Sequence, residues 1–316
     1  MSFLSAARRV REVLLHPDLT PELKGQLSCV LERKLLLYRR APLWCVPELP
    51  RRTASYLGLN PVLCDDLVAA SILYHCAADI VDDAQDDDLA AIPGWGHWGW
   101  RDAVNVGLFL LSAQARCLAQ TNVEPEVRAV WADTFARAGM TLVAGQHRDL
   151  CASANTVWDE SRILEIGAQK AGGALAAVLC LAPAVCRVPN LNEWWEFGVL
   201  LGKMYQAASD LEAYLCFGPH SDLAQLKVTL PLMVAKDLDP QVAEMLGVPL
   251  PLSRSFQERL RRVVRASGAL EYTQWRISAL HQEAMGLAAQ LGQREYASLI
   301  RPVLDTAIIR VDPLAV

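Results

Sequence analysis

The sequence predicts an all-α protein, a single-domain helical bundle over residues 1–316, and three observations predict it. Apolar residues make up 53% of the chain, enough for a large core, yet no stretch alternates apolar and polar residues with strand period. The apolar stretches are separated by helix-start signals such as Thr20-Pro21 and Asn60-Pro61. No linker rich in Ser, Gly or Pro divides the chain, and no repeat of fixed period appears.

Taken in order, residues 2–40 predict one or two amphipathic helices. Pro21-Glu22-Leu23 after Thr20 is a helix start, and Leu31 with Leu35 to Leu37 supplies apolar positions around the charged Glu32-Arg33-Lys34. Ala41-Pro42 and the segment Pro47 to Pro50 break the pattern, and a helix resumes near Arg51. Asn60 is a cap followed by Pro61 at the first helical position. It opens a long helix whose apolar stretch from Leu67 to Val81, free of Pro and Gly, ends in acid. Pro93 to Gly99 predicts a loop containing Trp95 and Trp98. Helices are then expected at about 102–120, 124–152, 158–182, 191–216, 227–245, 254–292 and 294–309.

Composition excludes several classes. The net charge is −5 and no Lys/Arg stripe forms, so no nucleic-acid partner is expected. The longest apolar run, Ala171 to Cys186, contains Pro183 and is too short for a membrane span, so no transmembrane segment is expected. Arg8, Arg9 and Arg11 lack a following signal-type apolar region. Nine scattered cysteines, without C-x-x-C or zinc-type histidine spacing, suit a reducing cytoplasm.

Asp82, Asp83 and Asp86 can bring their carboxylates together within one helical turn. Acid at a helix C-terminus opposes the macrodipole and costs stability unless a cation neutralises it. Mg²⁺ suits the position, as a hard ion that keeps waters, takes one or two carboxylates and bridges to phosphates. The bland alternative is a solvated acidic cap.

Further motifs join this one. Asp82-Asp83-Ala84-Gln85-Asp86 is a D-D-x-x-D, Gly145-Gln146-His147-Arg148-Asp149-Leu150 a G-Q-x-x-D-L, and Tyr205-Gln206 precedes Ser209-Asp210. Lys170-Ala171-Gly172-Gly173-Ala174-Leu175 and Lys227-Val228-Thr229-Leu230-Pro231 complete the order. In these residues the chain resembles the trans-isoprenyl diphosphate synthase (polyprenyl synthetase) family. The resemblance implies an isoprenoid-synthase-type bundle around a deep central cavity, with two aspartate motifs facing each other. It also implies Mg²⁺ ions that hold an allylic prenyl diphosphate and draw off its diphosphate, and a homodimer. Ionising the C–O bond needs the departing charge neutralised, and the cation left behind needs a dry apolar surround.

The departures from the family pattern are as informative. The second D-D-x-x-D reads Ser209-Asp210-Leu211-Glu212-Ala213, which keeps Asp210 as its one matching carboxylate. The family's D-D-L-R-R-G reads Asp87-Asp88-Leu89-Ala90-Ala91-Ile92, so both diphosphate-holding arginines are alanine. The G-G-K-R-x-R-P segment reads Leu36-Leu37-Tyr38-Arg39-Arg40-Ala41-Pro42, keeping one arginine, Arg39, and losing the glycines and the lysine. His75 matches a family histidine that helps hold isopentenyl diphosphate. Most of that second pocket is dismantled, so the expected acceptor is something other than isopentenyl diphosphate. Offshoots of this kind include a transferase that prenylates a peptide tryptophan and the farnesyltransferase of moenomycin assembly. A terpene cyclase and a non-catalytic partner subunit are the rival readings.

By this resemblance Asp82, Asp83, Asp86 and Asp210 are the metal ligands. Lys170, Gln206 and Lys227 act on the diphosphate, and Arg39, His75, Gln146 and Tyr205 bind substrate. Each has an ordinary counterpart: a surface acid, a snorkelling lysine, or a polar side chain satisfying a backbone group. Ala77 and Ala78, one turn before the aspartates, leave room for a prenyl tail, with Tyr74 as floor and a donor of fifteen to twenty carbons. Trp95 and Trp98 either shield a cation with their π faces or pack down as a hydrophobic lid.

Overall fold

A computed structural model describes residues 3–14, 18–40, 45–86, 89, 99–152, 159–215, 223, 225–250 and 252–309. The predicted class is observed: among these residues there are helices and no strand. The order is α1 (Phe3–Leu14), α2 (Pro21–Arg40), α3 (Cys45–Tyr56), α4 (Pro61–Gln85), α5 (Trp100–Gln120) and α6 (Pro125–Cys151). Then come α7 (Glu160–Gly167), a π turn (Ala168–Gly172), α8 (Gly173–Val185) and α9 (Leu191–Leu215). The chain closes with α10 (Leu230–Leu238), α11 (Pro240–Met245), α12 (Arg254–Ala266) and α13 (Ala269–Ile309). It divides into two compact units, residues 1–136 with 177–195 and residues 137–176 with 196–316.

The first unit is built on α4. Its start is the one read from sequence: the Asn60 side chain accepts the Leu63 N–H at 3.0 Å, with Pro61 at the first turn. Leu67, Ile72, Leu73 and Ile80 are fully buried. Helix α5 lies close because Gly107 has no side chain; a Cβ there would come within 2.6 Å of Val81 Cγ2. Helix α1 is tied on by Ser5 Oγ donating to Asp65 (2.8 Å) and Arg9 Nε to Asp66 (2.6 Å). Trp131, also fully buried, donates its indole N–H to the Leu181 carbonyl at 3.0 Å.

In the second unit α9 and the π turn meet backbone to backbone. A Cβ on Gly202 would lie 2.1 Å from Gly172 Cα, and one on Gly198 would lie 2.2 Å from Ala176 Cα. The Tyr205 hydroxyl donates to the Val303 carbonyl at 2.8 Å, and Phe197 packs edge-on to Tyr296.

Several expected boundaries are corrected. Helix α3 starts at Cys45, well before Arg51. Pro47 falls in its first turn, where no N–H is needed, and Glu48 holds Arg52 at 2.9 Å. The helix expected over 158–182 carries the π turn, whose extra residue per turn brings Gly172 against α9. That expected from 227 begins at Leu230, because Thr229 is extended, and it stops at Asp239, whose side chain caps α11 through Gln241 N–H (2.9 Å). That over 254–292 is split by Gly268 at φ +86°, a left-handed turn that glycine adopts readily. The loop with Trp95 and Trp98 lies outside the described residues.

Two segments, Pro61–Gln85 and Glu160–Val185, are long and apolar enough to cross a membrane, but 72% of each apolar window is buried within the protein. They read as core helices. The cysteines among the described residues are free thiols, and burial pushes Cys64 up to about 11 and Cys76 and Cys117 up to about 12, the values of inert core residues.

Candidate functional site

In the first unit, α4 presents a polar stripe. His75, Asp79, Asp82 and Asp86 recur every three or four residues and therefore share one helix face. His75, Ala78, Asp79, Asp82 and Asp83 are partly open, whereas Tyr74, Cys76, Ala77 and Ile80 are buried. Asp86 ends the helix, its backbone N–H donating to the Asp82 carbonyl at 2.9 Å. Burial first, and then the charge of Asp79, raise the Asp83 carboxyl to about 6.

Asp79 was missed in the sequence reading because it sits inside an apolar run, and so was its partner on α2. Lys34 Nζ hydrogen-bonds Asp79 Oδ2, and His75 Nε2 lies 3.5 Å from the same oxygen. Burial works to lower the Lys34 pKa, but the charge and hydrogen bond of Asp79 outweigh it and leave the ammonium raised. Burial works against ionisation of Asp79 too, and His75 and Lys34 overcome it, holding this carboxyl below its usual value. Burial lowers the His75 pKa, against the opposing charge of Asp79.

The two alanines part company. Ala78 lies on the open face, while Ala77 is buried, its carbonyl 3.6 Å from where a Gly107 Cβ would stand. Tyr74 is buried edge-on against Phe135 at 4.9 Å between ring centroids, and burial raises its phenol to about 12.

In the second unit, Lys170 on the π turn donates to Asp149 Oδ2 at 2.6 Å, and Lys227 Nζ lies 3.9 Å from the same oxygen. Asp149 is the unrecognised centre of this cluster; its position in the G-Q-x-x-D-L motif was the available signal. One turn back on α6, Gln146 is only 4% exposed, and neither atom of its amide has a partner among the described residues. A buried amide left bare in this way is costly and suits a ligand contact. Gln206 donates to Asp210 Oδ1 at 2.9 Å, and the Leu230 N–H donates to Asp210 Oδ2 at 3.3 Å. Asp210 thus fastens to α9 the extended segment that carries Lys227. Tyr205 is anchored through Val303, and the Arg39 side chain, like Trp95 and Trp98, lies outside the described residues.

Among the described residues no group of three or more His, Cys, Asp and Glu side chains is placed to hold a metal ion. The donor set of the α4 face nonetheless fits Mg²⁺, which is held by one or two carboxylates, its own waters and phosphate oxygens.

Comparisons of the fold give consistent relatives. A polyprenyl synthase from Caulobacter crescentus, solved with calcium and isoprenyl diphosphate, superposes with a TM-score of 0.81 at 20% identity, covering 96% of this chain and 93% of its own. A decaprenyl diphosphate synthase from Rhodobacter capsulatus gives 0.80 at 18% identity, over 98% and 96%. A heptaprenyl diphosphate synthase from Staphylococcus aureus gives 0.79 at 15%, over 98% and 97%. These likenesses show the all-α isoprenoid-synthase fold. No curated protein matches the sequence. The polyprenyl synthetase family profile matches residues 60–255, well over half of the sequence and from the start of α4 to the start of α12, and on that match the chain belongs to the polyprenyl synthetase family.

Proposed function

We propose that the protein is a Mg²⁺-dependent class I prenyltransferase. It ionises an allylic prenyl diphosphate of fifteen to twenty carbons and passes the prenyl group to an acceptor other than isopentenyl diphosphate. Family membership points to a prenyltransferase. The observation that carries the finer reading is the carboxylate face of α4, where Asp82 and Asp86 share one helix face and Asp83 lies beside them. Bound Mg²⁺ would supply charge neutralisation for the departing diphosphate, with Asp82, Asp83 and Asp86 as its ligands.

The chain's own groups do the rest. Lys170 and Lys227, both directed at Asp149, offer two ammonium groups to diphosphate oxygens. Gln146 offers a bare amide, and Gln206 orients Asp210. The apolar side chains around Tyr74 exclude water from a cation that water would quench. No observation favours the cyclase reading, and the relatives described above are prenyl synthases. The proposal places the enzyme in the cytoplasm as a homodimer. The pairing is supported by Met140, Val143 and Leu150, exposed by 70%, 65% and 46% along one face of α6.

The test is incubation with Mg²⁺ and geranyl, farnesyl or geranylgeranyl diphosphate, with products extracted. Release of diphosphate from the two longer donors, lost on chelation, is the expected result. Inertness towards all three would overturn the reading in favour of a non-catalytic partner subunit.

A further inference from the structure

The Lys34–Asp79–His75 cluster has no part in holding the allylic donor as described above. Two cation or N–H donors, Lys34 Nζ and His75 Nε2, converge on one oxygen, Asp79 Oδ2. Arg33 adds its positive charge to the same carboxylate. With Asp79 removed in thought, an ammonium and an imidazole are left aimed at one point on the open face of α4, one turn before Asp82. That is the donor set of a site for a phosphate-type anion.

Packing gives no reason for the acid. Asp79 lies between the apolar pairs Ala77-Ala78 and Ile80-Val81, and an ion pair of this kind is seldom more stabilising than apolar residues of similar volume. Nor is the cluster sealed, for the side chains of His75 and Asp79 keep 26% and 27% exposure, so a ligand can reach them.

We propose that Asp79 sets acceptor specificity: it is a built-in anion that fills this site and turns away a second diphosphate. The acceptor that reaches the ionised donor is then uncharged or cationic, since an anionic one meets a fixed carboxylate at contact distance where its counter-charges should be. This rests on the prenyltransferase reading and names the residue that enforces it.

The test measures binding by the full-length chain of isopentenyl diphosphate, by calorimetry in EDTA, so that metal bridging to Asp82, Asp83 and Asp86 does not contribute. Wild type is expected to bind weakly. Asp79→Leu should bind at least tenfold more tightly, and the isosteric Asp79→Asn several-fold more tightly. Adding Lys34→Met to either should return the affinity to the wild-type level. Circular dichroism reports folding, and if the leucine variant does not fold, the asparagine variant decides. Unchanged affinity in the folded Asp79 variants, or tight binding by wild type, would overturn the inference. Diphosphate release from farnesyl diphosphate with Mg²⁺, measured on the same preparation, tests the prenyltransferase reading separately, because the binding assay needs no turnover.

Discussion

Asp83 carries a carboxyl raised to about 6, so the folded chain at neutral pH bears a charge that its surroundings oppose. The sign follows from linkage: an acid whose folded pKa lies above its unfolded value destabilises the fold as pH rises through that interval, and the penalty is complete above about 6. The full effect is up to about 3 kcal/mol, and screening at a partly open group reduces it. Asp83→Asn should therefore raise the melting temperature of the metal-free protein by a few degrees at pH 7.5 and by little at pH 4, which calorimetry checks. Asp82→Ala should abolish turnover with no loss of metal-free stability. A lower melting temperature in either would make these carboxylates structural. At this scale the aspartates of α4 were legible because their geometry is local: spacing along one helix decides it. Asp79 was not, because its meaning comes from Lys34, 45 positions away in sequence and on another helix.

The second unit turns on how closely its helices approach. Gly202→Ala would place a Cβ 2.1 Å from Gly172 Cα, against backbone that has no rotamer with which to yield. We expect a loss of at least about 1–3 kcal/mol, read as a lowered melting temperature or insoluble protein. Asp210 gives a finer test, since it anchors Leu230 N–H and hence the segment bearing Lys227. Asp210→Ala leaves that N–H without its acceptor and should cost about 1–3 kcal/mol, whereas Asp210→Asn keeps an acceptor oxygen and should cost less. If the two variants are equally stable, the anchor carries no weight. Helix content and most starts were readable from caps and prolines, as at Asn60-Pro61. The π turn was not, because Ala168–Gly172 reads as ordinary helix and takes its form from the glycine contact with α9. The extended Lys227–Thr229 was hidden in the same way, held by Asp210 and by Tyr214 Oη near Thr229 Oγ1 (3.4 Å).

For the molecule as a whole, both substrates are restricted. On the acceptor side, farnesyl and isopentenyl diphosphates together should give no longer prenyl diphosphate, since Ala90, Ala91 and Tyr38 stand where the family has phosphate-binding residues. On the donor side, Ala78 is the open-face alanine, so Ala78→Phe should shift preference towards geranyl diphosphate without overpacking the core. Tyr74 lies about 12 Å along the helix from Asp82, and Tyr74→Ala should admit longer donors. Unchanged donor ranking in both variants would place the tail elsewhere. The central claim is that the carboxylate face of α4 drives loss of diphosphate from an allylic donor. Inorganic diphosphate released from farnesyl diphosphate, with and without Mg²⁺, in wild type and Asp82→Ala, tests it most directly. Release is expected from wild type with Mg²⁺ and under none of the other conditions. Equal release by Asp82→Ala, or by wild type in EDTA, would contradict it.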